Sequence, residues 1–159
     1  MTLLFTRLLL LGELKLVVAA QIQRDTLPRG DAAGPARPRP LSEVARENAV
    51  EGCARETVSA SIAVWQSRNA ADPVVAATMA MISTDEVKHA ELSWDIARWV
   101  EPRLLPAEQV AVVAARAAAF DELLEEAAAP VDSTLIAMAG LPAPRDAVSL
   151  VRAASQASV

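Results

Sequence analysis

The sequence predicts an all-α protein, and three features of the chain indicate this fold class. Hydrophobic residues make up 53 % of the 159 residues and aromatic residues only 3 %, a composition that suits helices better than strands. Apolar side chains recur at helical spacing along much of the chain, as on one face of a helix. No segment alternates apolar and polar residues between turn signals, as a half-buried strand would. The length is that of one domain.

The charge and the rare side chains narrow the function classes. A net charge of −5 and an isoelectric point near 4.9 argue against nucleic acid as a partner, because phosphate binding needs a clustered positive face. Cys53 is the only cysteine and His89 the only histidine. An internal disulfide, a cysteine zinc cluster and a site with two histidines from one chain are therefore excluded.

Residues 1–23 are predicted to form an apolar N-terminal helix. The charged residues Arg7, Glu13 and Lys15 interrupt it. A membrane span needs about 20 nearly uncharged residues, and a secretory leader needs a continuous apolar region. We therefore expect a cytoplasmic protein with no membrane span, in which this helix packs on the rest of the chain.

Prolines and glycines divide the rest of the chain into segments. Residues 24–40, which contain four prolines and two glycines, are expected to be a poorly ordered linker. A helical core follows at residues 41–128. Residues 129–159 form a C-terminal extension, in which a short helix is predicted from Arg145 to about Ser155.

Three long helices are predicted in the core. Ser42 is expected to cap the first, and Asp72 and Pro73 mark the start of the second. Because only about two residues separate these helices, we expect a long antiparallel hairpin of residues 41–70 and 73–101.

The third predicted helix runs from Pro106 to Ala128. One apolar stripe on it is expected to pack beside the hairpin, and to be an interface if it faces solvent. The stripe consists of Val110, Val113, Ala117, Phe120 and Leu124.

The second core helix carries two polar residues in an apolar seam. At alternating spacings of four and three residues the seam reads Val75, Met79, Ile82, Glu86, His89, Ser93, Ile96 and Val100. On the first helix, Glu51 likewise interrupts an apolar row. An unpaired buried carboxylate costs several kcal/mol, so these positions indicate a proton, a cation or a metal.

Folding the predicted hairpin about Ala71 and Asp72 brings these residues to similar heights. Glu86 would lie opposite Thr57 and His89 near Ala54, with Glu51 within one turn of His89. A cluster of Glu51, Glu86 and His89, with Glu56 as a further candidate, suits iron or manganese better than zinc. Two alternatives stay open, a solvated Glu-x-x-His face and a metal-free buried pair of Glu51 with Arg55.

Two motifs in residues 47–99 resemble the ferritin-like superfamily. The first is EGCARET, from Glu51 to Thr57, and the second is DEVKHAELSW, from Asp85 to Trp94. They are similar to the second helix pair of a bacterial ferritin-like domain. The resemblance implies a four-helix bundle in which each helix pair gives one Glu and one Glu-x-x-His to a shared di-iron centre.

The resemblance also implies roles for individual residues. Glu86 and His89 would be metal ligands, and Glu51 would be the bridging or terminal carboxylate, with Glu56 as the alternative. The first helix pair departs from the family pattern, because residues 21–25 read QIQRD where a second Glu-x-x-His is expected. Either the chain is a truncated relative, or two chains complete the site. We expect a two-fold homodimer, which would place a second Glu51, Glu86 and His89 opposite the first.

Three functions are therefore considered. The first is a ferritin-like metal-binding protein that holds iron or manganese, with oxidoreductase chemistry if two chains complete a di-iron site. The second is a metal-free helical bundle with a structural or partner-binding role. The third, a redox regulator that uses Cys53, is disfavoured because the nearby Glu51 carboxylate would raise the thiol pKa. No motif identifies a substrate, and whether the protein is an enzyme stays open.

Overall fold

The computed structural model describes residues 38–157. The predicted helix of residues 1–23 and most of the predicted linker lie outside the described residues. Residues 38–157 are mainly helical and contain no strand, which confirms the all-α prediction. Within the same range, no helix is long and apolar enough to cross a membrane.

The first long helix consists of three consecutive parts. They are α1 (Leu41–Glu47), a π-helical segment (Asn48–Glu56) and α2 (Thr57–Asn69). Pro40 takes the N-cap position in place of the predicted Ser42, because the Pro40 carbonyl accepts the free N–H groups of Glu43 and Val44 at 3.1 and 3.3 Å. The π-helical segment has wider turns than an α-helix. Such segments are rare in proteins overall, and those that occur are often found at functional sites.

The second long helix, α3 (Pro73–Val100), begins where the sequence predicts. The Asp72 carboxylate accepts hydrogen bonds from the Val74 and Val75 amides at 2.8 and 3.4 Å. This cap satisfies donors that have no partner inside the helix. The helix ends in a 3₁₀ turn (Glu101–Arg103), since Pro102 supplies no amide for its continuation.

Contacts between α3 and the preceding helix differ from the predicted pairs. Trp94 Nε1 donates to Thr57 Oγ1 at 3.0 Å, although Glu86 was predicted opposite Thr57. Side chains of a helix lean towards its N-terminus, which for α3 is the direction of the Ala71–Asp72 turn. The long Trp94 side chain therefore reaches a residue that a comparison of heights alone does not select.

Three further helices complete the described chain: α4 (Pro106–Ala127), α5 (Ser133–Ala139) and α6 (Pro144–Gln156). Helix α6 lies within one residue of its predicted bounds, whereas α5 was not predicted. The α5 N-cap is Asp132, whose side chain accepts from the Thr134 and Leu135 amides at 2.7 and 3.4 Å. The bond from the Thr134 amide lowers the pKa of the Asp132 carboxyl below its ordinary value.

Helix α5 is hydrogen-bonded to the turn between α2 and α3. The amides of Ala71 and Asp72 donate to the carbonyls of Ala137 and Met138, each at 3.2 Å. Gly140 ends α5 with a φ of 66°, and a Cβ there would lie 2.4 Å from the Ala70 nitrogen. Both the left-handed backbone and the close approach therefore require glycine.

Buried side chains form two clusters. One joins the first long helix to α4 and α6, and it contains Ala54, Val58, Ala119, Phe120, Leu123, Val151 and Ala154. The other joins α1 and the π-helical segment to the end of α3 and the start of α4, and it contains Ala45, Ala49, Val100, Leu104 and Val112. The core thus relies on alanine and valine, which allow close approach between helices.

The buried face of α4 differs from the predicted stripe. Phe120 is buried and Leu124 half-buried as predicted, but Val110 is 70 % exposed and Val113 is 51 % exposed. Ala117 is also exposed. Alanines occur on several sides of α4, so more than one stripe of apolar residues has helical spacing. The structure buries the stripe of Val112, Ala119, Phe120 and Leu123.

Candidate functional site

Glu51, the first predicted ligand, lies on the surface. Its side chain is 66 % exposed and lies 3.9 Å from the Arg55 guanidinium. Arg55 also contacts Glu122 at 3.1 Å and Glu126 at 3.8 Å, both on α4. The prediction of a buried Glu51 is therefore wrong. The predicted row assumed α-helical spacing, whereas Glu51 lies in the π-helical segment. Val44, seven residues earlier in the same row, is also exposed, at 38 %.

Glu86 and His89 lie on α3 with different exposures. Glu86 is half-buried and His89 is exposed, so the prediction that His89 points into the interior is wrong. The neighbouring Ala90 is buried instead. One residue corresponds to about 100° of helical rotation, which is enough to exchange an inward position for an outward one. Asp85 and Glu91 face outward as predicted.

Glu56 is half-buried and approaches α3 through Ser93. Ser93 Oγ lies 3.3 Å from Glu56 Oε2 and 2.9 Å from the His89 carbonyl oxygen. Among the predicted ligands, Glu56 is therefore placed within one helical turn of the Glu-x-x-His motif. Neither Glu51 nor Glu56 is an unpaired buried carboxylate.

The four predicted ligands do not form a metal site within one described chain. Among residues 38–157, no three or more histidine, cysteine, aspartate or glutamate side chains are grouped so that they could hold a metal ion. The donor set of one chain in this range therefore does not fit the iron centre that the ferritin-like resemblance implies.

The π-helical segment and α3 meet at a tight contact around Gly52 and Ser93. A Cβ on Gly52 would lie 2.5 Å from Ser93 Oγ and 2.9 Å from Asn48 Oδ1. Asn48 Nδ2 donates to the Ser93 carbonyl at 2.9 Å. Sequence reasoning assigned Ser93 to the seam but missed this contact. The glycine inside a helix was the signal that could have revealed it.

Cys53 is buried beside the same contact. Its thiol donates to the Ser93 carbonyl at 3.5 Å and lies 3.6 Å from Asn48 Nδ2. Burial raises the pKa of the Cys53 thiol to about 11, an effect that the nearby Arg116 charge opposes and the Glu101 charge reinforces. The thiol is therefore protonated at neutral pH, which argues against a redox role for it.

A groove of about 880 Å³ runs along α2 and α3. Its walls are mostly small or apolar and include Ala60, Val64, Val87, Ala90, Ala97 and Leu150. At one end, Arg116 pairs with Glu101 at 2.6 Å and lies over the Trp94 ring at 5.2 Å from its centroid. These polar groups therefore already have partners within the chain.

The outer surface of α4 is apolar over half its length. From the residue before the helix to position 118, every exposed residue is apolar. We call this surface the outer face of α4. It consists of Leu105, Pro106, Ala107, Val110, Ala111, Val113, Ala114, Ala117 and Ala118.

Charged residues border the outer face at both ends and along one side. Arg103 precedes it, and the exposed acidic residues Asp121 and Glu122 follow it. On one side, a depression at Ala115 is lined by residues of the first long helix and by Arg39, two residues before that helix. Its charged members are Arg39, Glu43, Arg46, Glu47 and Glu51. An apolar centre with a polar rim is the arrangement of protein interfaces.

No family model matches the chain, and no curated protein or solved structure is significantly similar to it.

Proposed function

We propose that this protein is a helical bundle that acts by binding another protein chain through the outer face of α4. The observation that carries the proposal is the absence of any polar side chain among the exposed residues from Leu105 to Ala118. Single exposed apolar residues are ordinary, but a continuous apolar surface with a polar rim marks an interaction site.

The exposures of the larger side chains indicate the driving force for binding. Leu105 is 68 % exposed, Val110 70 % and Val113 51 %. Fully burying a side chain of this kind contributes about 1.5–3 kcal/mol, and part of that gain is still available at each of these positions. The alanines between them would let a partner helix approach closely.

The remaining candidate residues give no competing chemistry within one chain. Glu51 is paired with Arg55, and the raised pKa keeps the buried Cys53 protonated. These features support the second function considered from the sequence, a helical bundle that binds a partner.

Binding of a fluorescent apolar dye tests the proposal. At about 1 µM protein, the double variant Val110→Glu/Val113→Glu should lose more than half of the dye fluorescence of the wild type, with unchanged helical circular dichroism. The matched control is Val74→Glu/Met81→Glu, which adds the same charge at exposed positions of α3 and should keep the fluorescence. Equal dye binding by the wild type and the α4 variant would overturn the proposal.

The second candidate is the ferritin-like protein, in which α2 and α3 are the antiparallel hairpin of a bundle that two chains complete. The observation in its favour is that the half-buried Glu86 and the exposed His89 lie one turn apart on α3, where ligands from a partner could join them. A metal held there would supply the redox chemistry of that family.

Anaerobic loading with ferrous iron followed by desalting tests this candidate. A ferritin-like site predicts iron retained by the wild type and lost in His89→Leu, with equal helix content in both. Our first proposal predicts less than about one iron per ten chains in the wild type. Stoichiometric iron that depends on His89 would favour the second candidate over the first.

A further inference from the structure

We infer that the partner of the outer face of α4 is a second copy of this chain, with the two α4 helices packed antiparallel about a two-fold axis. The inference rests on the proposed function, since it names the occupant of the same surface. A two-fold contact brings the same surface of each protomer together, and such contacts are the commonest in homo-oligomers.

The charges at the ends of α4 select a second copy and its direction. Arg103 lies just before the helix, where the helix dipole is also positive. The exposed side chains of the last two turns are all acidic, and they are Asp121, Glu122, Glu125 and Glu126. At its start the helix combines the positive end of its dipole and Arg103 with the Glu108 carboxylate, which accepts from the Leu105 amide at 2.9 Å. At its end the exposed side chains are negative. Two antiparallel copies place opposite charges side by side, whereas two parallel copies place like charges together.

The register follows from the extent of the apolar surface. The outer face runs from Leu105 to Ala118, so its midpoint lies close to Ala111. An axis through that midpoint superimposes the two apolar faces completely. It also brings Arg103 of one protomer, which lies in the 3₁₀ turn before its α4, towards the end of the other α4 that carries Asp121. The apolar overlap and the charges therefore favour the same antiparallel arrangement.

The size of the surface predicts a weak dimer. A single pair of helices buries less area than the roughly 1,600 Å² of a standard interface, and smaller interfaces are typical of transient complexes. The Kd is therefore expected in the micromolar range, on the order of 10–100 µM. The acidic, paired Glu122 and Glu126 lie outside the overlap and keep their contacts with Arg55.

Cross-linking through an introduced cysteine tests the antiparallel arrangement. Ala111→Cys lies near the axis, so a short bismaleimide should link two copies of the full chain in good yield. Ala118→Cys, seven residues along the same face, lies about 10 Å from the axis, since each residue advances 1.5 Å, and should not be linked to its own copy. The wild type is the control for Cys53, whose buried, protonated thiol should not react.

Exchange of the charges is the second test. Arg103→Glu and Asp121→Arg should each raise the dimer Kd by roughly fivefold at low salt, because the two-fold axis repeats each surface ion pair. The double variant should return the Kd to the wild-type value, because it restores the pair with exchanged charges.

Linking of both cysteine variants would show parallel helices and overturn the inference. Absence of linking in Ala111→Cys would also overturn it. The dye experiment separates a failure of this inference from a failure of the proposed function. If dye binding depends on Val110 and Val113 but no dimer forms, the outer face of α4 is still a binding surface and only the second copy is excluded as its partner.

Discussion

The contact at Gly52 and the outer face of α4 differ in where polar and apolar side chains lie. Around Gly52, polar groups are packed between the helices. Asn48 Nδ2 donates to Cys53 Sγ, and both the Asn48 amide and the Cys53 thiol donate to the Ser93 carbonyl. On the outer face of α4, valine and alanine side chains contact solvent. The enclosed groups have partners within the chain, whereas the exposed apolar groups have none within the described residues.

This difference shows that residue type alone does not assign a side chain to the interior of this protein. Where two helices approach closely, small side chains are needed even if they are polar, because a larger one would collide. Where a helix has apolar residues on all sides, tertiary packing buries one stripe and leaves another free. The free stripe is then available for a partner.

The largest effect is expected from adjacent valines on opposite sides of α4. Val112 is 2 % exposed and belongs to a core cluster, whereas Val113 is 51 % exposed. Val112→Ala should lower the free energy of unfolding by roughly 2–3 kcal/mol through lost burial and a cavity. Val113→Ala should change it by less than about 0.5 kcal/mol, as at other surface positions.

Urea denaturation of both variants at low protein concentration, where the dimer is dissociated, measures the difference. Equal destabilisation by the two substitutions would mean that the two sides of α4 are not distinct in the way described.

A somewhat smaller loss is expected from Gly52→Ala. The added methyl group would lie 2.5 Å from Ser93 Oγ and 2.7 Å from Ser93 Cβ, so the helices must move apart. Overpacking of this kind costs about 1–3 kcal/mol. Thermal unfolding of Gly52→Ala should show this loss. Ser93→Gly in the same chain should recover part of it, because it removes two of the three atoms within 3 Å of the added methyl group and leaves Asn48 Oδ1 at 2.9 Å.

The control for this experiment is Ser59→Ala, an exposed position on α2 that should leave the stability nearly unchanged. A Gly52→Ala single variant as stable as the wild type would show that the π-helical segment and α3 are not in tight contact.

The smallest effect concerns pH and Cys53. Because burial raises the thiol pKa from its ordinary 9.0 to about 11, the folded state favours the protonated form. The resulting stability is fully present below pH 9 and is lost as the pH rises from 9 towards 11. Cys53→Ala should remove this part of the alkaline destabilisation. Identical pH dependence of unfolding between pH 8 and 11 in the variant and the wild type would contradict the assigned environment.

The sequence predicts the helix boundaries better than the helix faces. Asp72, Pro73, Pro102 and Pro144 act through local backbone chemistry, and the structure places helix ends at each of them. Helix α5 was missed although Asp132 and Gly140 are local cap signals, because seven residues are too few to show a helical apolar period. Its bonds to Ala71 and Asp72 are tertiary contacts.

The faces could not be predicted because the helices contain so much alanine. On α3, His89 and Ala90 fit almost equally well into a seam, and packing buried the smaller residue. On the preceding helix, the π-helical segment changed the spacing and turned Glu51 outward. Of the candidate site, the sequence identified the outward positions Asp85 and Glu91 and named Val110 and Val113 as an interface should they face solvent. It did not predict which stripe of α4 would be buried.

Sedimentation equilibrium of the full chain, with and without ferrous iron, tests the central claim most directly. The claim is that the outer face of α4, and no metal, mediates association. Between about 5 and 200 µM, the average mass of the wild type should rise from 16.8 kDa towards twice that value, equally in both conditions, while Val110→Glu/Val113→Glu stays monomeric. A wild type that stays monomeric throughout, or that associates only when iron is present, would contradict it.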